Sequence, residues 1–369
     1  MKKRWFALGL GLVISFSFIL GGCGSSSSSS STPTPPPPGP STPNDGFAEK
    51  PEVTLILTNQ DPDTAQSGVF CHAWADMVFE KSKGRIKVEV NNGASLAGPT
   101  ESLDKVKAGS VDIAQGLPSF YPGQFVMTDG LSMPYLPYKS SAHASHVFWE
   151  IFSNTDLIKN DPGYAGTKVI KIYANNDAQI VTAKKKLEKA EDLKGMTIRA
   201  SAKTLVDWLA KLDATGKPCP INDLYQNLQN GAFDGAITDW NAHRSFMLYD
   251  NCAKYFADEY VQFNTYFFLM NEKKYNSLSP ELKAIIDDCS DWNAVALNLH
   301  WADEFKLRCM EIVTEAGCEI YTLPEAEHQK LVDAANESNA EWVKENNAQE
   351  LYDTLIKTIN DTADMFERI

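Results

Sequence analysis

Apolar positions along this chain recur with a period of two in some stretches and about 3.6 in others, so strands and helices alternate. Val53–Thr58 (VTLILT) predicts a first strand, Asn59–Gly68 a polar loop, and Val69–Lys83 a helix apolar on one face. The turn Lys83-Gly84-Arg85 leads into a strand at Ile86–Val90, a short helix at Ser102–Ala108 and a third strand at Val111–Gln115. A β-α-β-α-β order implies parallel strands with helices packed on them.

A second run of the same kind begins at Lys168–Tyr173. Strands are expected at Ile180–Ala183, Met196–Ala200, Lys217–Pro220 and Gly235–Thr238, with helices at Ala202–Leu212 and Asp223–Asn230. Tyr266–Met270 (YFFLM) reads as a buried strand much later in the chain. From Pro280 to about Ala316 the pattern is helical over some 37 residues, opened by Ser279-Pro280, good N-cap and N1 residues. A helix that long spans ~55 Å and is expected to cross two α/β lobes. Clefts between such lobes are where small ligands bind.

The first 45 residues stand apart. Lys2, Lys3 and Arg4 precede the uncharged apolar run Trp5–Leu20, too short for a spanning helix and suited to a signal peptide. The run ends in Leu20-Gly21-Gly22-Cys23, which resembles the bacterial lipobox, with Cys23 as the lipid-bearing residue after cleavage. The stretch from Ser25 through Pro38 is serine- and proline-rich, cannot bury apolar surface and reads as a tether. The whole chain carries a net charge of −14; losing the three positive charges of the signal leaves about −17. A body so acidic is a poor partner for nucleic acid or anionic lipid. Six cysteines remain, Cys71, Cys219, Cys252, Cys289, Cys309 and Cys318. They permit three disulfides in an oxidising compartment, or serve as small buried hydrophobes.

Bond-making constellations are missing from the sequence. There is no G-x-S-x-G elbow and no Walker loop, and Asp61 and Asp63 lack the glycine and distal glutamate of a calcium loop. His143 and His146 have no H-E-x-x-H context and read as surface residues. Neither catalysis, a metal nor a cofactor is expected.

Four segments resemble one family. They are Lys81-Ser82-Lys83-Gly84-Arg85-Ile86-Lys87-Val88-Glu89-Val90, then Ser95-Leu96-Ala97-Gly98 with Val106-Lys107-Ala108-Gly109-Ser110-Val111-Asp112-Ile113-Ala114, then Glu191-Asp192-Leu193-Lys194-Gly195-Met196-Thr197-Ile198-Arg199, and Asp223-Leu224-Tyr225-Gln226-Asn227-Leu228-Gln229-Asn230-Gly231-Ala232-Phe233-Asp234-Gly235. In order and spacing they resemble the solute-binding subunit of tripartite ATP-independent periplasmic (TRAP) transporters, the DctP type, from about residue 52 to 320. The resemblance implies a two-lobe periplasmic-binding-protein-like α/β fold that closes on an organic acid and docks with a small and a large membrane subunit. The corresponding division is signal 1–22, tether 23–49, first lobe 50–173 with 262–300, and second lobe 174–261 with 301–369. A lipid-anchored periplasmic monomer is expected.

The resemblance also nominates residues. Arg199 matches the family arginine that pairs with the ligand carboxylate, a task its planar, permanently charged fork suits. Thr238 stands where many members carry an asparagine and offers only a hydroxyl. Asp239 either faces away or binds an amine or hydroxyl, and Trp240 is either core or a stacking wall. Ile221 replaces a pocket aromatic. Tyr121, in the loop after the third strand, is placed in the pocket, with loop packing as its alternative; Asn59 and Gln60 have the same topological claim at the end of the first strand. No second arginine stands near Asn175 and Asn176, and Gln179 is the closest polar substitute. One cation suggests a monocarboxylate with an apolar or aromatic body. A ligand-presenting subunit of a membrane sensor and an ABC-type binding protein are the competing readings.

Overall fold

The computed structural model describes residues 46–250, 252–290 and 305–366. The signal, Cys23, most of the tether and the middle of the expected long helix lie outside the described residues.

Nine strands form one mixed sheet: β1 (Val53–Asn59), β2 (Ile86–Asn91), β3 (Ile113–Gly116), β4 (Thr167–Thr182), β5 (Thr197–Arg199), β6 (Thr215–Lys217), β7 (Gly235–Asp239), β8 (Tyr255–Asn271) and β9 (Glu319–Tyr321). Their order is β2-β1-β3-β8-β4-β7-β5-β6, with β9 on β8. β1 is parallel to β2 and β3, and β5 is parallel to β6 and β7, as the β-α-β order requires.

The long strands β4 and β8 pair antiparallel along nearly their whole length and carry the chain through both lobes. The sequence suggested two strands on either side of Asn175–Gln179 and only the last third of β8. Polar residues interrupt the apolar pattern there, yet Asn175, Asn176 and Gln179 are buried because neighbouring strands cover them. The pairing absorbs the interruption through register shifts between Ala174 and Asp177 and between Ala178 and Ile180. The short strand expected at Lys217–Pro220 is found earlier, at β6.

Apolar side chains form separate clusters on the two sides of that irregularity. In the first lobe Leu55, Leu57, Ile113, Phe268 and Met270 meet Phe70, Trp74 and Val78 of the helix Gln66–Lys81, whose buried positions keep helical spacing. In the second lobe Ile180, Ile198 and Ile237 meet Leu205, Trp208 and Leu209 of the helix Lys203–Lys211. Each such fully buried aliphatic or aromatic side chain stabilises by about 1.5–3 kcal/mol.

Two expectations need correction. The helix beginning at Pro280 ends at Cys289, with the Ser290 N–H bonded to Asp287 O; residues 305–315 are helical again, and 291–304 lie outside the described residues. Among the described residues, a helix that touches both lobes is Glu325–Glu345: Leu331 and Ala335 join the second-lobe core, while Trp342 and Val343 join the first. The stretch 301–369 therefore does not belong wholly to the second lobe. Its last helix, Gln349–Phe366, packs Leu355 and Ile359 against Val147 and Phe148 of the first-lobe helix Ser141–Asn154. His143 lies in that contact rather than on the surface, stacked on Phe366 and hydrogen-bonded through Nε2 to Thr362 Oγ1 at 3.0 Å. All six described cysteines are unpaired and buried.

Candidate ligand-binding site

The carboxyl ends of β1, β3, β5 and β7 converge on one cavity, the place where open α/β sheets present their ligands. It is constricted, with a cavity volume of about 20 Å3 open to the centre of a water molecule. Its walls are Gln60 and Asp61 after β1, Leu117 and Phe120 after β3, Arg199 and Ser201 at the end of β5, Ile221, Thr238 and Asp239, Asn241, Ala242 and Phe246, and Asn264 and Tyr266 of β8. A wider cleft of about 530 Å3 shares Ser201 with it and is bordered by Pro122, Val126 and Trp342.

Arg199 arrives there through local geometry. Gly195 turns the chain at φ +77°, a conformation that side-chain-bearing residues seldom adopt, and Thr197–Arg199 then pairs with β6 and β7. Strand alternation sends Ile198 into the core and Arg199 to the opposite face. Arg199 is 3% exposed; Nε donates to Cys219 O at 3.0 Å and Nη1 to Ile237 O at 3.2 Å. Both acceptors are neutral carbonyls, and no carboxylate makes an ion pair with Arg199 among the described residues. Burial lowers its pKa, against the negative potential of Cys219, Asp239 and Tyr266.

Two buried carboxyls share the cavity. Asp239 Oδ1 accepts the Ala242 N–H at 3.0 Å and so caps the helix Trp240–Ser245, while Asn264 Nδ2 donates to Oδ2 at 3.5 Å. Burial raises the Asp239 pKa to about 6; the Ala242 N–H and Arg199 oppose the rise and Asp61 adds to it. Asp61 accepts from Ser67 Oγ at 2.6 Å and Tyr266 Oη at 3.4 Å, and burial raises its pKa in spite of these bonds.

Of the nominated residues, Gln60, Arg199, Ile221, Thr238 and Asp239 line the cavity. Asp239 faces it rather than turning away. The other five lie elsewhere. Trp240 is fully buried in the second-lobe core, nearly parallel to Phe256 at 5.9 Å between ring centroids. The Tyr121 hydroxyl accepts the Leu103 N–H at 3.1 Å and donates to Pro99 O at 3.0 Å, so it ties its loop to the start of the helix Ser102–Ala108 rather than facing the cavity. Asn59 braces the loop after β1 through Asn92, Gln115 and the Asp61 N–H. Asn176 is buried within the irregular part of β4. Gln179, with its amide oriented as its neighbours require, bonds Asp177 O, Thr238 O and His243 Nε2. Asp61, Phe246, Asn264 and Tyr266 were not legible as site residues; the β1 terminus pointed towards Asp61, and the β8 pair required knowing that β8 begins at Tyr255.

Residues 58–346 match the model of the family described as bacterial extracellular solute-binding protein, family 7, DctP. The chain belongs to this family. Among relatives of this DctP-family chain, the 2,3-diketo-L-gulonate-binding periplasmic protein YiaO of Escherichia coli is 22% identical over 249 residues, covering 67% of this chain and 74% of the relative. The C4-dicarboxylate-binding protein DctB of Bacillus subtilis is 24% identical over 286 residues, 76% of this chain and 79% of its own. A solved TRAP solute-binding protein from a marine metagenome, specific for aromatic acid ligands and in complex with metahydroxyphenylacetate, is 26% identical with a TM-score of 0.76, covering 85% of this chain and 99% of that one. The family is extracellular, and the DctP-type fold with its two lobes is the one built here.

Proposed function

We propose that this chain is the extracytoplasmic receptor of a TRAP transporter, which captures a small monocarboxylic acid on Arg199 by lobe closure and delivers it to membrane permease subunits. Arg199 is the observation that carries the reading. A buried guanidinium bonded only to neutral carbonyls, with no carboxylate in direct contact, is costly, and a ligand carboxylate on its fork offsets that cost. Arg199 is the one Lys, Arg or His side chain lining the cavity among the described residues, which supports one carboxylate rather than two. Leu117, Phe120, Ile221 and Phe246 supply apolar walls for the ligand body. The aromatic-acid specificity of the marine relative fits such walls.

We read the receptor as one that binds its ligand without transforming it, which the match to a solute-binding family supports. The lobes meet where β4 passes Ala174–Ala178 and β8 passes Val261–Asn264, at the register shifts, and closure bends the sheet there. Leu20-Gly21-Gly22-Cys23 supports a lipid anchor on Cys23, and the Ser/Pro-rich tether keeps a monomeric receptor near its membrane subunits while leaving it free to turn.

The test is thermal shift and calorimetry of the purified protein against benzoates, hydroxy and amino acids, uronates and dicarboxylates. A bound acid at 100 times its dissociation constant adds about 2.7 kcal/mol and raises Tm visibly. Arg199→Met is expected to abolish the shift; a shift retained in that variant overturns the carboxylate assignment, and a dicarboxylate bound more tightly than every monocarboxylate overturns the preference for one acid group.

A further inference from the structure

The cavity that presents one cation also presents an excess of hydrogen-bond acceptors, and these have a common location. Asp61 comes from the end of β1 and Asp239 from the end of β7, yet both reach the same face of β8, where Tyr266 Oη meets Asp61 Oδ2 and Asn264 Nδ2 meets Asp239 Oδ2. Residues two apart on a strand share a face and stand about 7 Å from each other. The two carboxyls are near enough for the charge of Asp61 to act on Asp239. Neither has a Lys, Arg or His within ion-pair distance among the described residues. Beside them Gln60, 4% exposed and on the cavity wall, donates its amide to Asp61 Oδ1 at 3.5 Å and leaves Oε1 buried without a partner.

We propose that the ligand carries, besides the carboxylate held by Arg199, a protonated amine held by Asp61, Asp239 and Gln60 Oε1, so that the ligand class is a zwitterionic amino acid. This rests on the reading of Arg199 given above. Three acceptors without an internal cation suit an ammonium group, which has three donors and no acceptor, better than a hydroxyl with its single donor. Charge balance favours the same group. A bare carboxylate entering the site sets one guanidinium against as many as three carboxylates, whereas an ammonium restores a second cation where the negative groups already stand. The arrangement also explains why acidic side chains occupy a cavity built to receive an acid.

Matched ligands test this. Leucine, 2-hydroxyisocaproate and 4-methylpentanoate share one body, as do phenylalanine, phenyllactate and 3-phenylpropanoate, and only the first of each set carries the amine. Calorimetry on the unaltered protein is expected to show an amino acid binding about 100-fold or more tightly than both of its partners, because buried acceptors left without a donor reject the analogue. In Asp61→Asn, with its apo melting curve recorded alongside, that preference is expected to shrink at least about tenfold. Equal or tighter binding of the hydroxy or unsubstituted acid overturns the inference, as does a preference unchanged in Asp61→Asn. If benzoates or uronates bind through Arg199 while no amine-bearing acid does, the inference fails and the carboxylate reading stands. Binding that survives Arg199→Met, or no binding by any acid, removes both.

Discussion

Asp234 and Thr197 hold each other by two hydrogen bonds: the Thr197 N–H donates to Asp234 Oδ2 at 2.8 Å, and the Asp234 N–H donates to Thr197 O at 2.8 Å. This clamp joins the entrance of β7 to the start of β5 and so fixes the strand that ends in Arg199. Asp112 does the same in the other lobe, where the Ile56 N–H donates to Asp112 Oδ2 at 2.8 Å and the Asp112 N–H to Ile56 O at 2.9 Å. In both places a helix ends, a glycine follows at positive φ (Gly109 at 74°, Gly231 at 75°), and the aspartate stands three residues on. The repeated G-x-x-D pattern is thus a strand-pairing device, placed once in each lobe.

Asp234→Ala is expected to lower stability by about 1 kcal/mol, the worth of a charge-assisted bond to a backbone N–H that water then replaces. Asp112→Ala is expected to cost a similar amount. The two sites lie in different lobes and share no partner, so the double variant is expected to show the sum within about 0.5 kcal/mol. Denaturant titration of the four proteins checks this.

Arg199→Lys keeps the charge and loses the fork. The side chain can no longer donate to the Cys219 and Ile237 carbonyls while presenting two parallel N–H groups to a carboxylate. Affinity for any acid that binds the unaltered protein is expected to fall at least about tenfold, with loss of one or two charge-assisted bonds. Calorimetry gives the number.

Tyr121→Phe separates loop packing from ligand contact. It removes the hydroxyl that satisfies the Leu103 N–H and bonds Pro99 O, which is expected to cost about 1–3 kcal/mol for the orphaned buried groups. Ligand affinity is expected to stay within about twofold of the unaltered protein, since Tyr121 does not line the cavity. A large loss of affinity with little loss of stability would return the residue to the pocket.

The parallel pairs β1–β2 and β1–β3, the helix Ser102–Ala108 and the position of Arg199 were legible because each rests on local pattern: periodicity, a terminating glycine, a strand-end arginine. The unity of β4 and β8 was not. Asn175, Asn176 and Gln179 are polar and look like a loop, and only the cover from neighbouring strands makes them strand residues. The helix running on from Pro280 was likewise a projection of pattern, with nothing local to mark its stop at Cys289. Trp240 illustrates the limit within the site. It follows Asp239 in sequence, but it opens a helix whose first turn points it into the core. Direction at a strand-to-helix junction is set by packing, which composition does not carry.

Asp239 gives the site a pH dependence of definite sign. Its folded pKa of about 6 lies above the ordinary 3.8, so the native state holds the proton more tightly than the unfolded chain. The corresponding stability is fully present below pH ~4 and is lost as pH rises through about 6. At 1.36 kcal/mol for each tenfold change, the loss amounts to about 3 kcal/mol. Asn caps a helix as well as Asp does, so Asp239→Asn keeps the bond to Ala242 without the ionisation. The variant is expected to match the unaltered protein near pH 4 and to exceed it in stability by up to that amount near pH 7. Curves that run parallel across the range would show Asp239 to titrate normally.

Lobe closure has a predicted location. Two of the three register shifts in β4 opposite β8, those between Ala174 and Asp177 and between Ala178 and Ile180, loosen the ladder where the first-lobe core ends and the second begins. Bulged pairing tolerates a change of twist at little cost, whereas the regular stretches Lys171–Ala174 and Ile180–Thr182 are locked by apolar side chains on either side. The helix Glu325–Glu345 bridges both cores and limits the motion to a bend about this line. On binding an acid, hydrogen exchange is expected to slow at residues 174–179 and 262–265 and in the cavity walls after β1, β3 and β7, with β1 and β2 themselves unchanged. Small-angle scattering is expected to show a smaller radius of gyration in the same titration. Slowing spread evenly over both lobes, with no change in radius, would mean that the ligand rigidifies a receptor already closed.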